Sequence, residues 1–300
     1  MKKIISIMSA LLVCIFASGC RKNFAKQTRY VASCYPVYII TLNLIDGIEG
    51  TEVIHMSENH QGCLHDFQIQ SEDLKNIEKS SAFIINGAGM ENFLKKVTDE
   101  IPKIKIIDSS QNIELLENNC HHHHHHHSHE HDYNPHIWMS IDNYIKQTEN
   151  IAEGLIESDP ENEEKYRKNC EEYTSKLKNL KNEITLKLKD VRGKSIITFH
   201  EAFPYFANEF GLNIPDVINH DPESEPSAKQ ISKTINIMKE NNINSLYIEP
   251  QYKSTAAETI SKETGAKIYT LDPAVTGENS KDAYIEIMNK NAETLKEALN

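Results

Sequence analysis

The sequence predicts an α/β protein of two domains, each a parallel β-sheet flanked by helices, with one long rigid helix joining them. Short apolar runs rich in β-branched residues alternate with helical stretches in both halves of the chain, which is typical of parallel sheets covered on both faces. Between the halves, residues 161–191 contain no Gly or Pro and are rich in Glu, Lys and Leu. This composition favours one uninterrupted helix.

The individual elements follow from hydrophobic periodicity. In the first half, strands are predicted over residues 30–33, 82–86 and 104–107, and helices over residues 38–45, 71–77 and 91–97. In the second half, strands are predicted over residues 195–199, 245–248 and 267–270, and helices over residues 201–210, 228–240 and 255–264. The linking helix would be roughly 45 Å long at 1.5 Å per residue. An apolar stripe along it, spaced by three and four residues, should pack on both domains: Tyr173, Leu177, Leu180, Ile184 and Leu188.

The N-terminus has the features of an export signal. Two lysines precede a short apolar run, and small residues precede Cys20. The cysteine at this place resembles the lipobox of bacterial lipoproteins, in which it becomes the lipidated first residue of the mature protein. We therefore expect residues 1–19 to be removed and Cys20 to anchor an extracytoplasmic protein to the cell membrane. The alternative is an ordinary signal peptide followed by an incidental cysteine.

Composition limits the function classes. Loss of Lys2 and Lys3 with the signal changes the formal net charge from −12 to −14. An acidic chain without clustered Lys and Arg is a poor nucleic-acid binder. After the signal we expect an N-terminal domain over residues 29–158 with a His-rich loop at 120–133, a linking helix over 159–191, and a C-terminal domain over 192–300. We expect a monomer.

The His-rich loop contains nine histidines in eleven residues. Neutral imidazole binds divalent transition metals near pH 7, so the loop predicts accessory zinc, copper or nickel sites. A purification tag and a solvated low-complexity loop without function are the alternatives. The histidines are His121, His122, His123, His124, His125, His126, His127, His129 and His131.

A second metal site is predicted where loops leave strands or enter helices. His65, His136 and His200 each lie in such a position, and Asp272 follows the last predicted strand. In parallel sheets the carboxyl ends of the strands form the ligand crevice, so these loops can converge from two domains. Three imidazoles and one carboxylate would complete a four-coordinate zinc site. The alternative is that each is an ordinary polar residue.

Several motifs resemble the metal-binding solute-binding proteins of ABC transporters, in particular the zinc-uptake branch of the group that includes manganese-binding lipoproteins. The resemblance runs from about Tyr30 to the C-terminus. Asn134-Pro135-His136-Ile137-Trp138 is similar to the family's Asp-Pro-His-x-Trp segment, and His65-Asp66-Phe67-Gln68 to its His-x-aromatic-Glu segment. Thr198-Phe199-His200-Glu201 and Leu271-Asp272-Pro273 are similar to the segments that supply the third and fourth ligands. Gln68-Ile69 departs from the common Glu-Pro.

The resemblance implies a protein that captures Zn²⁺ outside the cell and delivers it to a membrane permease driven by an ATPase. Nitrogen at His200, where the manganese branch has a carboxylate, favours zinc. The chain has no Gly-x-x-x-x-Gly-Lys-Ser/Thr motif for ATP, so Gly87-Ala88-Gly89 is interpreted as a tight loop and the energy must come from a partner.

Two other function classes remain open. A zinc hydrolase would use Glu201 or Glu249 as a base beside a bound water, although no His-Glu-x-x-His signature is present. A metal-storage or adhesin lipoprotein would use the His-rich loop as its main site. Of the remaining candidates, Glu249 is expected to line the cleft or to support a ligand without binding the metal itself, His55 and His60 to be solvated loop residues, and His220 to lie at the surface. A disulfide between Cys34 and Cys63 is one pairing that an exported protein permits.

Overall fold

The computed structural model describes residues 27–60, 62, 64, 67–117, 133–218, 225–251 and 254–300. Within these residues, strands and helices alternate in two successive sets around one long helix. The first set comprises β1 (Thr28–Ala32), α1 (Tyr35–Leu44), β2 (Thr51–His55), α2 (Ser71–Glu78), β3 (Ala82–Ile85), α3 (Leu94–Glu100), β4 (Ile106–Asp108) and α4 (Ile141–Ser158). The long helix is α5 (Glu163–Lys187). The second set comprises β5 (Ser195–Thr198), α6 (Pro204–Phe210), β6 (Asn213–Val217), α7 (Ala228–Glu240), β7 (Ser245–Ile248), α8 (Thr255–Thr264), β8 (Lys267–Thr270) and α9 (Ala283–Leu299).

The strands form two four-stranded sheets, in the orders β2-β1-β3-β4 and β6-β5-β7-β8. Every pair of neighbouring strands is parallel. The strand order reverses between β1 and β3 in the first sheet and between β5 and β7 in the second, and in such sheets the ligand crevice lies at this reversal. Two parallel sheets with flanking helices confirm the predicted fold class.

The central strands of the first sheet are buried on both faces. Alternate residues of a strand point to opposite faces, and accordingly Tyr30, Ala32 and Ile84 belong to one apolar cluster whereas Val31 and Phe83 belong to another. The cluster with Tyr30 continues through α1, α4 and α5 into α6 and α9. The two halves of the chain therefore share one continuous core.

Helix α5 confirms the predicted linking helix. Its 25 residues extend for roughly 37 Å at 1.5 Å per residue. It is shorter than predicted because one turn of 3₁₀ helix flanks it on each side, at Pro160–Asn162 and Lys189–Val191. The helix contacts α1, α4 and α9, which come from both halves. The predicted apolar stripe is buried throughout: Tyr173, Leu177, Leu180, Ile184 and Leu188.

Some elements were not predicted. Strands β2 and β6 lie at sheet edges and are only partly buried, so their sequences lack a continuous apolar run. Helices α4 and α9 were also not predicted, although Ser140 caps α4 by accepting a hydrogen bond from the backbone nitrogen of Asn143. Helix α6 begins at Pro204 rather than at residue 201, because proline favours the first turn of a helix.

The prediction for His55 was wrong. It ends β2 rather than lying in a solvated loop, and its ring stacks on that of Tyr38 with the centroids 4.9 Å apart. Burial lowers the pKa of His55 to about 4, so the ring is neutral in the folded protein at pH 7. The predicted domain limits (29–158, 159–191 and 192–300) stay a prediction. Within the described residues, no helix combines the length and the apolar character that crossing a membrane would require.

Candidate metal centre

His200 and Glu249 meet at the strand-order reversal of the second sheet. β5 ends at Thr198 and its neighbour β7 ends at Ile248, so the residues that follow leave the same edge of the sheet. His200 Nδ1 lies 2.7 Å from Glu249 Oε1. Both residues are buried, with 3% and 4% of their surface exposed. Because a carboxylate accepts hydrogen bonds, Nδ1 of His200 carries the hydrogen.

His136 is held by Asn134. The side-chain oxygen of Asn134 accepts a hydrogen bond of 2.9 Å from the backbone nitrogen of His136 and lies 3.0 Å from His136 Nδ1. The amide nitrogen of Asn134 donates to the carbonyl oxygen of Glu201, which fixes the orientation of the amide. Nδ1 of His136 is therefore also a donor, because it faces an amide oxygen.

The imidazole rings of His136 and His200 lie against each other. Their centroids are 4.8 Å apart and the ring planes are inclined by 83°. Both Nδ1 atoms face oxygen acceptors, so Nε2 is the nitrogen with which each ring would bind a metal ion. An acceptor at the second ring nitrogen is the usual arrangement for histidines that bind metals. The structure thus brings together two of the four predicted ligands.

The equivalent position in the first sheet holds a buried carboxylate, Glu91. Its Oε1 accepts hydrogen bonds of 2.7 Å from Ser33 Oγ and from the backbone nitrogen of Asn86, which follow β1 and β3 respectively. Its Oε2 accepts a hydrogen bond from the backbone nitrogen of Gly87. Burial raises the pKa of Glu91 to about 7. Asn86 Nδ2 also donates to the carbonyl oxygen of Pro135, so this network supports the segment that carries His136.

Asp272 lies in the segment after β8. Its backbone nitrogen donates to Asn291 Oδ1, and its Oδ1 accepts a hydrogen bond of 2.8 Å from the backbone nitrogen of Ala274. Burial raises the pKa of Asp272; the hydrogen bond from Ala274 opposes this effect and the charge of Glu249 adds to it. β8 is the neighbour of β7, and the backbone nitrogen of Leu271 donates to the carbonyl oxygen of Ile248, so Asp272 leaves the same edge of the sheet as Glu249 and His200.

The other predicted ligands lie outside the described residues. Those are His65, the histidines of the His-rich loop, and Cys20 with the signal. His220 and Cys63 lie outside them too. In the part of the chain that is described, no group of three or more His, Cys, Asp or Glu side chains is placed to hold a metal ion. The four-ligand set His65, His136, His200 and Asp272 therefore stays a prediction.

The sequence indicated Glu249 near the ligands, but it did not predict that Asn134, Asn86 and Glu91 support the segment with His136. Asn134 has the clearest local signal, since it precedes His136 by two residues and its amide oxygen can reach forward to that ring. Asn86 and Glu91 had no such signal, because their link to His136 passes through Pro135, which is 49 residues from Asn86.

Comparison with known proteins places the chain in a family. The family described as "Zinc-uptake complex component A periplasmic" matches residues 31–298. A zinc-binding protein AdcA from Streptococcus pyogenes serotype M1 is 32% identical, over 99% of this chain and 61% of the relative. The chain thus spans about 61% of the length of this relative. The high-affinity zinc uptake system protein ZnuA of Bacillus subtilis is 31% identical, over 94% of this chain and 90% of the relative.

A solved structure agrees with these relatives. The structure of Zn(II)-bound AdcA from Streptococcus pneumoniae is 27% identical, with a TM-score of 0.75, and the match covers 91% of this chain and 58% of the other. Sequence and structure therefore agree over nearly the whole described chain, and the protein belongs to the family of the periplasmic component A of zinc-uptake complexes.

Proposed function

We propose that this chain is the zinc-binding component of an ABC transporter, which captures Zn²⁺ outside the cytoplasm and delivers it to a membrane permease driven by an ATPase. The observation that carries the proposal is the buried pair His136 and His200, with both Nδ1 atoms held by oxygen acceptors. The names of the relatives support the choice of zinc and of a binding protein rather than an enzyme.

The donor set favours zinc over harder cations. Two neutral imidazoles present nitrogen, which suits zinc better than manganese or magnesium. We propose that His65 and Asp272 complete a set of three nitrogens and one oxygen. Copper and nickel also bind imidazole, so geometry and metal supply must contribute to selectivity.

The proposed route of delivery requires only small movements. The segment with His136 is bonded to the second half of the chain through Tyr205, whose hydroxyl donates to the carbonyl oxygen of Asn134 and accepts from the backbone nitrogen of Leu116. Zinc coordination tolerates distance changes of only about 0.2 Å. Docking on the permease could therefore release the ion without a large opening between the sheets.

Further features belong to the same proposal. The His-rich loop would add weak sites that raise the local zinc concentration. Lipid chains on Cys20 would hold the protein at the outer face of the cell membrane, and a relative from Streptococcus pneumoniae is named a zinc-binding lipoprotein. The permease and the ATPase are the proposed partners, and the protein would act as a monomer.

Zinc titration calorimetry tests the proposal. The parent would comprise residues 21–300 without the tract from His121 to His131, and it would be compared with the same chain carrying His136→Ala and His200→Ala. His220→Ala would control for the loss of an imidazole elsewhere. We expect one tight site in the parent and in the control, and its loss in the double variant. Absence of a tight site in the parent would contradict the proposal and favour metal storage on the tract.

A further inference from the structure

We propose that Glu249 is a positioning residue of the metal centre, which orients His200 for binding and supplies a negative charge that favours a divalent cation. The inference rests on the proposed function, because it assigns a role within the same site. It adds a residue that does not itself bind the metal but acts through the imidazole of His200.

The position of Glu249 supports this role. It is the first residue after β7, beside the end of β5, and the backbone nitrogen of Phe199 donates to the carbonyl oxygen of Tyr247 across the same pair of strands. The sheet therefore fixes both His200 and Glu249. Their bond joins two side chains that are each at most 4% exposed. A carboxylate in such surroundings is costly unless it is hydrogen-bonded or paired.

The two histidines are supported by different chemical groups. Asn134 offers His136 a neutral amide oxygen, whereas Glu249 offers His200 a carboxylate. Asn134 also donates to the carbonyl oxygen of Glu201, which a carboxylate at that place could not do. The negative charge that supports the two histidines therefore lies beside His200, on Glu249. A carboxylate at Nδ1 makes the opposite nitrogen a stronger donor to a metal.

Charge balance supports the same conclusion. Glu249 is buried, and Asp272 follows the neighbouring strand β8, where the backbone nitrogen of Leu271 donates to the carbonyl oxygen of Ile248. Neighbouring carboxylates repel each other, and this repulsion is weaker when a cation is bound nearby. A dication would relieve this repulsion, and a neutral residue at 249 would reduce the gain.

Two substitutions separate orientation from charge. Glu249→Gln keeps an oxygen acceptor and removes the charge, whereas Glu249→Ala removes both. Substitution of a residue that hydrogen-bonds to a metal-binding histidine typically lowers metal affinity by about 10–100-fold. We expect Glu249→Ala to weaken zinc binding by about that factor, and Glu249→Gln to weaken it by a smaller factor within the same range. Glu263→Gln, at an exposed position on α8, is the matched control and should bind as the parent does.

The experiment is zinc titration of the tract-deleted chain and of these variants, together with the visible absorption spectrum of their Co²⁺ forms. The cobalt bands depend on the ligand field of the bound imidazoles, so they should shift in both Glu249 variants. A structural role alone would change the melting temperature of the metal-free protein and leave the bands in place.

The outcomes distinguish this inference from the proposed function. Weaker zinc binding with shifted cobalt bands in Glu249→Gln supports the inference, even if Glu249→Ala does not fold. Parent-like affinity and parent-like bands in Glu249→Gln overturn it. His200→Ala is measured in parallel. If this variant also binds zinc as the parent does, the proposed site itself is wrong. If His200→Ala loses binding while Glu249→Gln binds as the parent does, only the role of Glu249 is wrong.

Discussion

The indole nitrogen of Trp138 donates a hydrogen bond of 2.8 Å to the carbonyl oxygen of Pro273. This bond joins the segment that carries His136 to the segment that carries Asp272, although the two lie 135 residues apart. The backbone of Trp138 is held as well, because Tyr284 donates from its hydroxyl to the carbonyl oxygen of Trp138. Two predicted ligands from different halves of the chain are thereby tied together.

Trp138→Phe should loosen this link. The substitution leaves the buried carbonyl of Pro273 without its donor, which costs about 1–3 kcal/mol in the free energy of unfolding, and the smaller ring leaves space in the core. We expect weaker zinc binding in addition, measured by calorimetry beside urea denaturation. Tyr284→Phe also removes one hydrogen bond at Trp138 but leaves the bond to Pro273 intact. Equal loss of zinc affinity in both variants would contradict a specific role for the Trp138–Pro273 bond.

Substitutions in the linking helix should lower the free energy of unfolding only along its buried stripe. Leu177 is fully buried, whereas Leu186 on the same helix is 70% exposed. Leu177→Ala should lower the free energy of unfolding by about 2–5 kcal/mol, because it leaves a cavity in the shared core. Leu186→Ala should change it by less than about 0.5 kcal/mol. Urea denaturation of both variants measures the difference. Similar losses in the free energy of unfolding would show that the buried stripe contributes no more to stability than the exposed face does.

Alanine should be tolerated differently at the two glycines of the loop after β3, Gly87 and Gly89, which are separated by Ala88. Gly87 and Gly89 have φ angles of 78° and 83°, which favour glycine. A Cβ atom at Gly87 would overlap the side chains of Asp108 and Ser110, whereas one at Gly89 would meet nothing within 4 Å. Gly89→Ala should therefore cost about 1–2 kcal/mol from backbone strain alone.

Gly87→Ala should cost clearly more than Gly89→Ala. The steric overlap adds to the same strain, and a shift of the loop would disturb the bond from the backbone nitrogen of Gly87 to Glu91. Thermal melting of the two variants under identical conditions measures the difference. Equal melting temperatures would mean that the loop relaxes without cost.

Acid should destabilise the protein partly through His55. Its pKa is about 4 in the folded state and about 6.5 in an unfolded chain. Between these values the unfolded state binds more protons, so this side chain lowers the free energy of unfolding as pH falls, by about 2 kcal/mol at pH 5. The variant His55→Phe keeps a ring against Tyr38. Between pH 7.5 and pH 5 it should lose about 2 kcal/mol less of its free energy of unfolding than the parent loses.

The comparison must be made against the parent because Glu91 acts in the opposite sense. Its pKa is raised to about 7, so the folded state holds the extra proton and stability falls as pH rises from about 4.5 to 7. Both chains contain Glu91, and the difference between them isolates His55. An unchanged pH dependence in His55→Phe, measured by urea denaturation, would contradict the role of this ring.

The sequence by itself determined the fold class, the linking helix and the kind of chemistry. Each depends on local patterns: the alternation of apolar runs with helical periodicity, the stripe from Tyr173 to Leu188, and metal-binding residue types where predicted strands end or predicted helices begin. The edge strands β2 and β6 were missed for the same reason, since partly buried strands carry weak local patterns.

The sequence placed Glu249 near the ligands, but only the tertiary structure decided which side chain supports which histidine. Glu249 reaches His200 across 49 residues of chain, and it does so because β5 and β7 are neighbours although β6 lies between them in sequence. His136 reaches His200 because Asn134 and Tyr205 bond its segment to the second half of the molecule. Such contacts depend on strand order and on packing between distant segments. No local periodicity encodes them, so they become visible only when the chain is folded.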